Sequence, residues 1–211
     1  MIGLIDYGAG NLTSVIKALT AVGGTVRVVA HPSELSGLTA IVIPGVGHFS
    51  ATGRLDAAWR QAVRERIDAG LPLLGVCLGL QWLFEGSEEA PELPGLGLFA
   101  GRCFRLPDSV KVPHVGWNSL DVEGRRSRLF EDAPPGAMAY FTHSFAAPVV
   151  DASVAMTTHG VAFTAAVERE RVFATQFHPE KSGTTGLRLL SNFLSIVRQA
   201  QLQTAPESGG R

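Results

Sequence analysis

Apolar positions in the first half of the chain follow two rhythms in alternation. Unbroken runs at residues 2–6, 25–29, 40–43 and 72–76 have the length and β-branched content of buried strands. Between them, apolar residues recur at helical spacing. Leu12, Val15, Ile16 and Leu19 follow Asn11, a side chain suited to capping a first turn, and Gly23 and Gly24 end the segment. Residues 52–69 carry Leu55, Trp59, Val63 and Ile67 on one face, with Gly70 as the stop. A further helix starts near Leu78. Short strands separated by helices predict βαβ units, hence an α/β fold with a mostly parallel sheet flanked by helices.

The second half has a different rhythm. Strand-like runs at 102–106, 139–145, 161–167 and 172–177 lie between Pro, Gly and Asp turns, which predicts additional, partly antiparallel strands on the same core. A last amphipathic helix is expected at 186–199. With no repeat and no linker, residues 1–200 read as one domain and 201–211 as a disordered tail.

Composition removes several classes of function. Of 211 residues, 45% are hydrophobic and 18% charged, and the formal net charge is -1. A sizeable core is available, while no basic excess draws the chain to nucleic acid or to an anionic membrane. Asp6 and the glycines around it break the N-terminal run, so it reads as a strand and not as a signal peptide. No stretch reaches the roughly 18 uninterrupted apolar residues of a membrane span. Cys77 and Cys103 make too weak a framework for this length, and both read as reduced thiols of a cytoplasmic protein.

The segment GVCLGLQ, residues 75–81, places Cys77 between an apolar strand and a helix, with Gly75 and Gly79 two residues away on either side. This is the pattern of a nucleophile elbow, a strand-to-helix turn so sharp that its neighbours must be small. A helix start beside the sulfur favours the thiolate, and the Leu78 N–H is aimed where an oxyanion would develop. The plainer reading is a buried cysteine that ends a core strand.

The segment ATQFHPEKSG, residues 174–183, puts His178 at a strand end, with Pro179 blocking further pairing and Glu180 two residues on. A thiol nucleophile needs an imidazole, and the imidazole needs an acceptor that fixes its tautomer. Alone, His178 reads equally as a surface histidine and Glu180 as a solvated carboxylate. Together with the elbow they read as a Cys77–His178–Glu180 triad. Cys77 and His178 are 178 − 77 = 101 residues apart, so only the fold can join them.

These two segments resemble the class I (triad) glutamine amidotransferases over nearly the whole chain. The resemblance implies a flavodoxin-like sheet extended by extra strands, and hydrolysis of L-glutamine through a Cys77 thioester. Within that family, DYGAGNL (6–12), KVPHVGWN (111–118), YFTHS (140–144) and HPEKS (178–182) are similar to the glutaminase subunits of imidazole glycerol phosphate synthases. That implies a heterodimer with a cyclase subunit in histidine biosynthesis, to which ammonia is delivered, because a chain this short has no second domain to use it.

The loop PGVG, residues 44–47, lies where backbone of Val46 and Gly47 can complete the oxyanion site with Leu78. β-branched Val46 makes the required peptide orientation harder to adopt, and the resemblance implies a resting, non-productive loop that the partner reorients. Gln81, one helical turn after Cys77, is suited to the amino-acid end of the substrate, although it also reads as a helix-surface glutamine. The resemblance makes the backbone of His143, Ser144 and Phe145 a substrate clamp, with Phe145 where tyrosine is usual. It also assigns Asn11, Trp117 and Lys181 to the partner interface. Their plainer readings are an N-cap, a buried indole beside a turn at Asn118, and a solvated lysine.

His31, His48, His114 and His159 show no metal-ligand spacing, Cys103 reads as inert, and no phosphate loop of the GxxxxGK[ST] kind is present, so neither metal nor cofactor is expected. Three other readings stay open. One is the glutaminase of an anthranilate, aminobenzoate or pyridoxal phosphate synthase. Another is a cysteine hydrolase that works alone. The last is a non-catalytic interaction module that keeps the fold.

Overall fold

The computed structural model describes residues 1–122 and 126–204. The chain runs through β1 (Ile2–Ile5), α1 (Leu12–Ala21), β2 (Val26–Val29), β3 (Ala40–Ile43), α2 (Ala57–Asp68), β4 (Leu73–Val76) and α3 (Leu78–Leu83). Shorter strands follow: β5 (Gly86–Ser87), β6 (Arg102–Arg105), β7 (His114–Ser119), β8 (Met138–His143) and β9 (Phe145–Ala146). The hairpin β10 (Ser153–His159) and β11 (Val161–Arg169) leads to β12 (Val172–Thr175) and the long α4 (Gly183–Thr204).

A seven-stranded sheet with the order β10-β11-β12-β4-β3-β1-β2 forms the centre. The five strands from β12 to β2 are parallel, while β10, β11 and β12 pair antiparallel. The expected mixed α/β fold is therefore the observed one. Covered on both faces, the strands need no polar alternation. Ile2, Leu4, Val42 and Leu74 join Leu19 of α1 and Leu190 and Phe193 of α4 in one core. Ile5, Ile41, Ile43 and Leu73 join Trp59 and Val63 of α2 and Trp82 of α3 in the other. Each such side chain contributes about 1.5–3 kcal/mol over leaving it in water.

Four expectations need correction. The helix placed at 52–69 is two elements, a 3-10 segment Phe49–Arg54 and α2. Asp56 separates them, because its carboxylate caps the Trp59 N–H at 3.1 Å and so starts a new helix. The strand placed at 139–145 breaks at Ser144, since β8 pairs with β7 while β9 pairs with β6. The segment holding Trp117 and Asn118 is strand β7, neither loop nor turn, and Trp117 is 54% exposed instead of buried. The last helix begins at Gly183 and runs to Thr204, past the expected boundary at 200; the rest of the expected tail, 205–211, lies outside the described residues.

The topology places the site. β12 lies beside β4, with Thr175 opposite Val76, and the Cys77 N–H donates to the Thr175 carbonyl at 2.7 Å. The carboxyl ends of these two parallel strands therefore emerge together. Cys77 follows one and His178 follows the other.

Candidate active site

Cys77 sits between β4 and α3 at φ 53°, ψ -102°, a conformation rare for an L-residue. The flanking glycines are what permit it. A Cβ on Gly75 would lie 2.9 Å from the Gly79 carbonyl oxygen, and one on Gly79 would overlap the carbonyl oxygen of Ile43. The elbow thus packs directly against the end of β3, where PGVG begins. Tyr7, in the loop after β1, is buried there and donates its hydroxyl to the Pro44 carbonyl at 2.8 Å.

His178 and Glu180 stand in the turn that leads to α4, both side chains buried. Nδ1 of His178 meets Oε1 of Glu180 at 2.7 Å. With Nδ1 committed, Nε2 is the ring atom left for Cys77, and among the described residues it has no hydrogen-bond partner. Burial by itself disfavours the imidazolium. The negative charges of the Cys77 thiolate and of Glu180 outweigh it and lift the His178 pKa to about 10. The turn is anchored to β8: the His178 N–H donates to the Tyr140 carbonyl at 2.9 Å, the Ser182 hydroxyl donates to the His178 carbonyl at 2.7 Å, and the Tyr140 N–H donates to the Ser182 hydroxyl at 2.9 Å.

A cavity of about 270 Å³ opens at the sulfur. Val46, Gly47, Leu78, Gln81, His143, Ser144 and Phe145, drawn with Cys77 from three separate stretches of chain, all line it. Gln81 is buried and not on a helix surface. Its Nε2 donates to the Phe145 carbonyl at 2.8 Å and to Gln176 Oε1 at 3.3 Å, and Gln176 Nε2 lies 3.6 Å from the Cys77 sulfur. Phe145 uses its carbonyl in this network, and the Ser144 carbonyl is taken by the Leu106 N–H at 2.9 Å. The Leu78 N–H meets the Gly45 carbonyl at 3.3 Å, so this donor is engaged in the resting structure.

Sequence reasoning missed Gln176, Tyr7 and the cavity residues Glu89 and Thr142. The Glu89 carboxylate accepts the Phe49 N–H at 2.7 Å at the cavity edge. Cys103 is a buried free thiol whose pKa burial raises, in keeping with an inert role. Asn11 caps α1 by accepting the Ser14 N–H at 3.2 Å, while Lys181 is exposed with its ammonium 5.9 Å from the Tyr140 ring. Among the described residues no group of three or more potential metal ligands is present, and no helix is long and apolar enough to cross a membrane.

The family described as "Glutamine amidotransferase class-I" matches residues 3–197. This chain is a class-I glutamine amidotransferase. Two similar relatives of this amidotransferase are each named imidazole glycerol phosphate synthase subunit HisH. The one from Thermococcus kodakarensis is 47% identical, over 92% of this chain and 98% of its own. The one from Desulfitobacterium hafniense is 46% identical, over 94% and 96%. Two solved structures share the amidotransferase fold. A glutamine amidotransferase superimposes with a TM-score of 0.72 at 23% identity, over 93% of this chain and 98% of its own. PurLQS from Thermotoga maritima does so with a TM-score of 0.71 at 19% identity, over 93% and 98%.

Proposed function

We propose that this amidotransferase hydrolyses glutamine to glutamate and ammonia and passes the ammonia to the cyclase subunit of an imidazole glycerol phosphate synthase. The observation that carries the chemistry is the strained Cys77, set beside the buried His178–Glu180 pair at the mouth of a cavity lined by Gln81.

Cys77 attacks the side-chain carbonyl carbon of glutamine. The proton that Cys77 has already ceded to His178 goes to the departing ammonia, and Glu180 holds the ring so that Nε2 faces the sulfur. Water then hydrolyses the thioester, with the same imidazole as base. The substrate's α-ammonium meets Gln81 Oε1, since both Nε2 hydrogens are spent within the protein, and the Glu89 carboxylate. Its carboxylate meets the donors left to the 143–145 segment, the Ser144 hydroxyl among them. The oxyanion needs a turn of the Gly45–Val46 peptide. That motion withdraws the Gly45 carbonyl from Leu78 and presents the Val46 and Gly47 backbone in its place.

The partner surface is the outer face of the β7–β8 ribbon. Val115, Trp117 and Met138 are 56%, 54% and 43% exposed there, and the Lys181 ammonium lies 5.9 Å from the ring of Tyr140 on β8. α1, capped by Asn11, packs against the turn that bears His178 and Glu180. Apolar exposure of this kind suits a protein partner more than solvent.

Glutamate release by the purified chain, measured alone and with the cyclase and its nucleotide ligand, tests both parts. Low release alone that rises in the complex is expected. Release that ignores the cyclase would assign the glutaminase to another synthase, and none in either state would end the glutaminase reading.

A further inference from the structure

Strand β7 is inverted relative to most surface strands. Its outward residues, Val115 and Trp117, are apolar, and its inward residues, His114 and Asn118, are polar. Polar groups turned inward need partners, and these have them in a single file. Asn118 Nδ2 lies 3.3 Å from His114 Nε2, His114 Nδ1 lies 3.1 Å from His143 Nε2, and His143 Nδ1 lies 2.9 Å from the Phe145 carbonyl oxygen.

The direction of every bond in this file follows from its last member. A carbonyl only accepts, so His143 must carry its proton on Nδ1. In the neutral ring Nε2 is then an acceptor, and His114 must donate to it from Nδ1. Nε2 of His114 is an acceptor in turn, and the Asn118 amide supplies the donor. Asn118 is itself held by donating to the Thr158 carbonyl at 3.0 Å. Burial keeps both rings neutral, lowering His143 to about 3 and His114 to about 4. The Phe145 carbonyl that receives this file also receives Gln81.

We propose that Asn118 and His114 are positioning residues of the glutamine site, fixing His143 in its Nδ1–H form and thereby the Phe145 carbonyl that aligns Gln81. Neither residue lines the cavity. They act through His143, and the proposal rests on the glutaminase reading above.

The rings allow a clean test. His114 stacks on Phe141 at 4.8 Å and on His159 at 4.1 Å, so His114→Phe keeps the aromatic packing and removes the donor. His114→Asn keeps an N–H near the Nδ1 position. The probe is a chloroketone analogue of glutamine that alkylates Cys77, a reaction that needs the binding pocket but no oxyanion donor. Iodoacetamide, which needs no pocket, reads the thiol itself.

In the full-length chain, His114→Phe is expected to raise the half-saturating chloroketone concentration about tenfold, the scale of one lost buried hydrogen bond. Iodoacetamide labelling should fall far less, and His114→Asn should recover most of the loss. Asn118→Leu, at a half-buried position, should shift the chloroketone in the same direction by about threefold, and it carries the test if His114→Phe does not fold. Wild-type saturation by the chloroketone in the folded variants would overturn the proposal alone, as would equal losses with both reagents. Wild-type labelling that neither saturates nor yields to glutamine competition would end the glutaminase reading, and the proposal with it.

Discussion

Cys77 holds a backbone conformation that costs about 1–3 kcal/mol, and the structure sustains it because Gly75 and Gly79 leave room on both sides. Strain aims the sulfur, but it does not choose a protonation state. That is the work of His178, whose proton is retained by the charges of Cys77 and Glu180. Glu180→Gln keeps the shape and removes one charge and the tautomer control. It should lower glutamine turnover by roughly 10³–10⁴, with slower iodoacetamide labelling of Cys77. Turnover within tenfold of wild type would show that the carboxylate does not orient the ring. Cys77, His178 and Glu180 were legible because each sits in a short motif whose local geometry has a chemical meaning. Gln176 and Glu89 were not. Gln176 reaches the sulfur only because β12 pairs with β4, and Glu89 turns inward only because Phe49 offers it an N–H.

Elements extend the same lesson. The parallel strands and α1 were readable because both faces of the sheet are covered and the apolar period is uninterrupted. Strand β7 escaped that reading because its polar residues point inward, and α2 was overextended because Asp56 starts a new helix within a continuous apolar stripe. One tight joint between elements is α3 against β3, at Gly79. A methyl there meets the Ile43 carbonyl, a backbone atom that cannot swing aside. Gly79→Ala should therefore cost about 1–3 kcal/mol in urea unfolding, and it should depress glutamate release by displacing the PGVG loop. An unchanged urea midpoint would show that the joint is looser than its packing implies.

For the molecule as a whole, the neutral histidines couple the site to pH. An unfolded chain binds protons at His114 and His143 near the ordinary value of 6.5, whereas the folded protein refuses them until about pH 4 and 3. The unfolded state thus holds more protons across that interval. The associated stability is complete above 6.5 and drains away as pH falls towards 4 and 3, at about 1.4 kcal/mol per pH unit for each ring. His178, raised instead of lowered, is charged in both states below 6.5, so its own stabilisation is fully present there and gives no slope in that interval. Urea midpoints between pH 6 and 5 should fall in wild type and fall less in His114→Phe; equal slopes would mean that His114 takes up its proton without cost. The inverted strand also limits how this protein can change over generations. Side chains of a β-strand alternate strictly, so inserting or deleting one residue ahead of Trp117 would turn the indole into the histidine file and expose Asn118 in its place. The proposed docking face and the proposed support of the glutamine site share one register, and a lineage can alter the length of this strand only by giving up both at once.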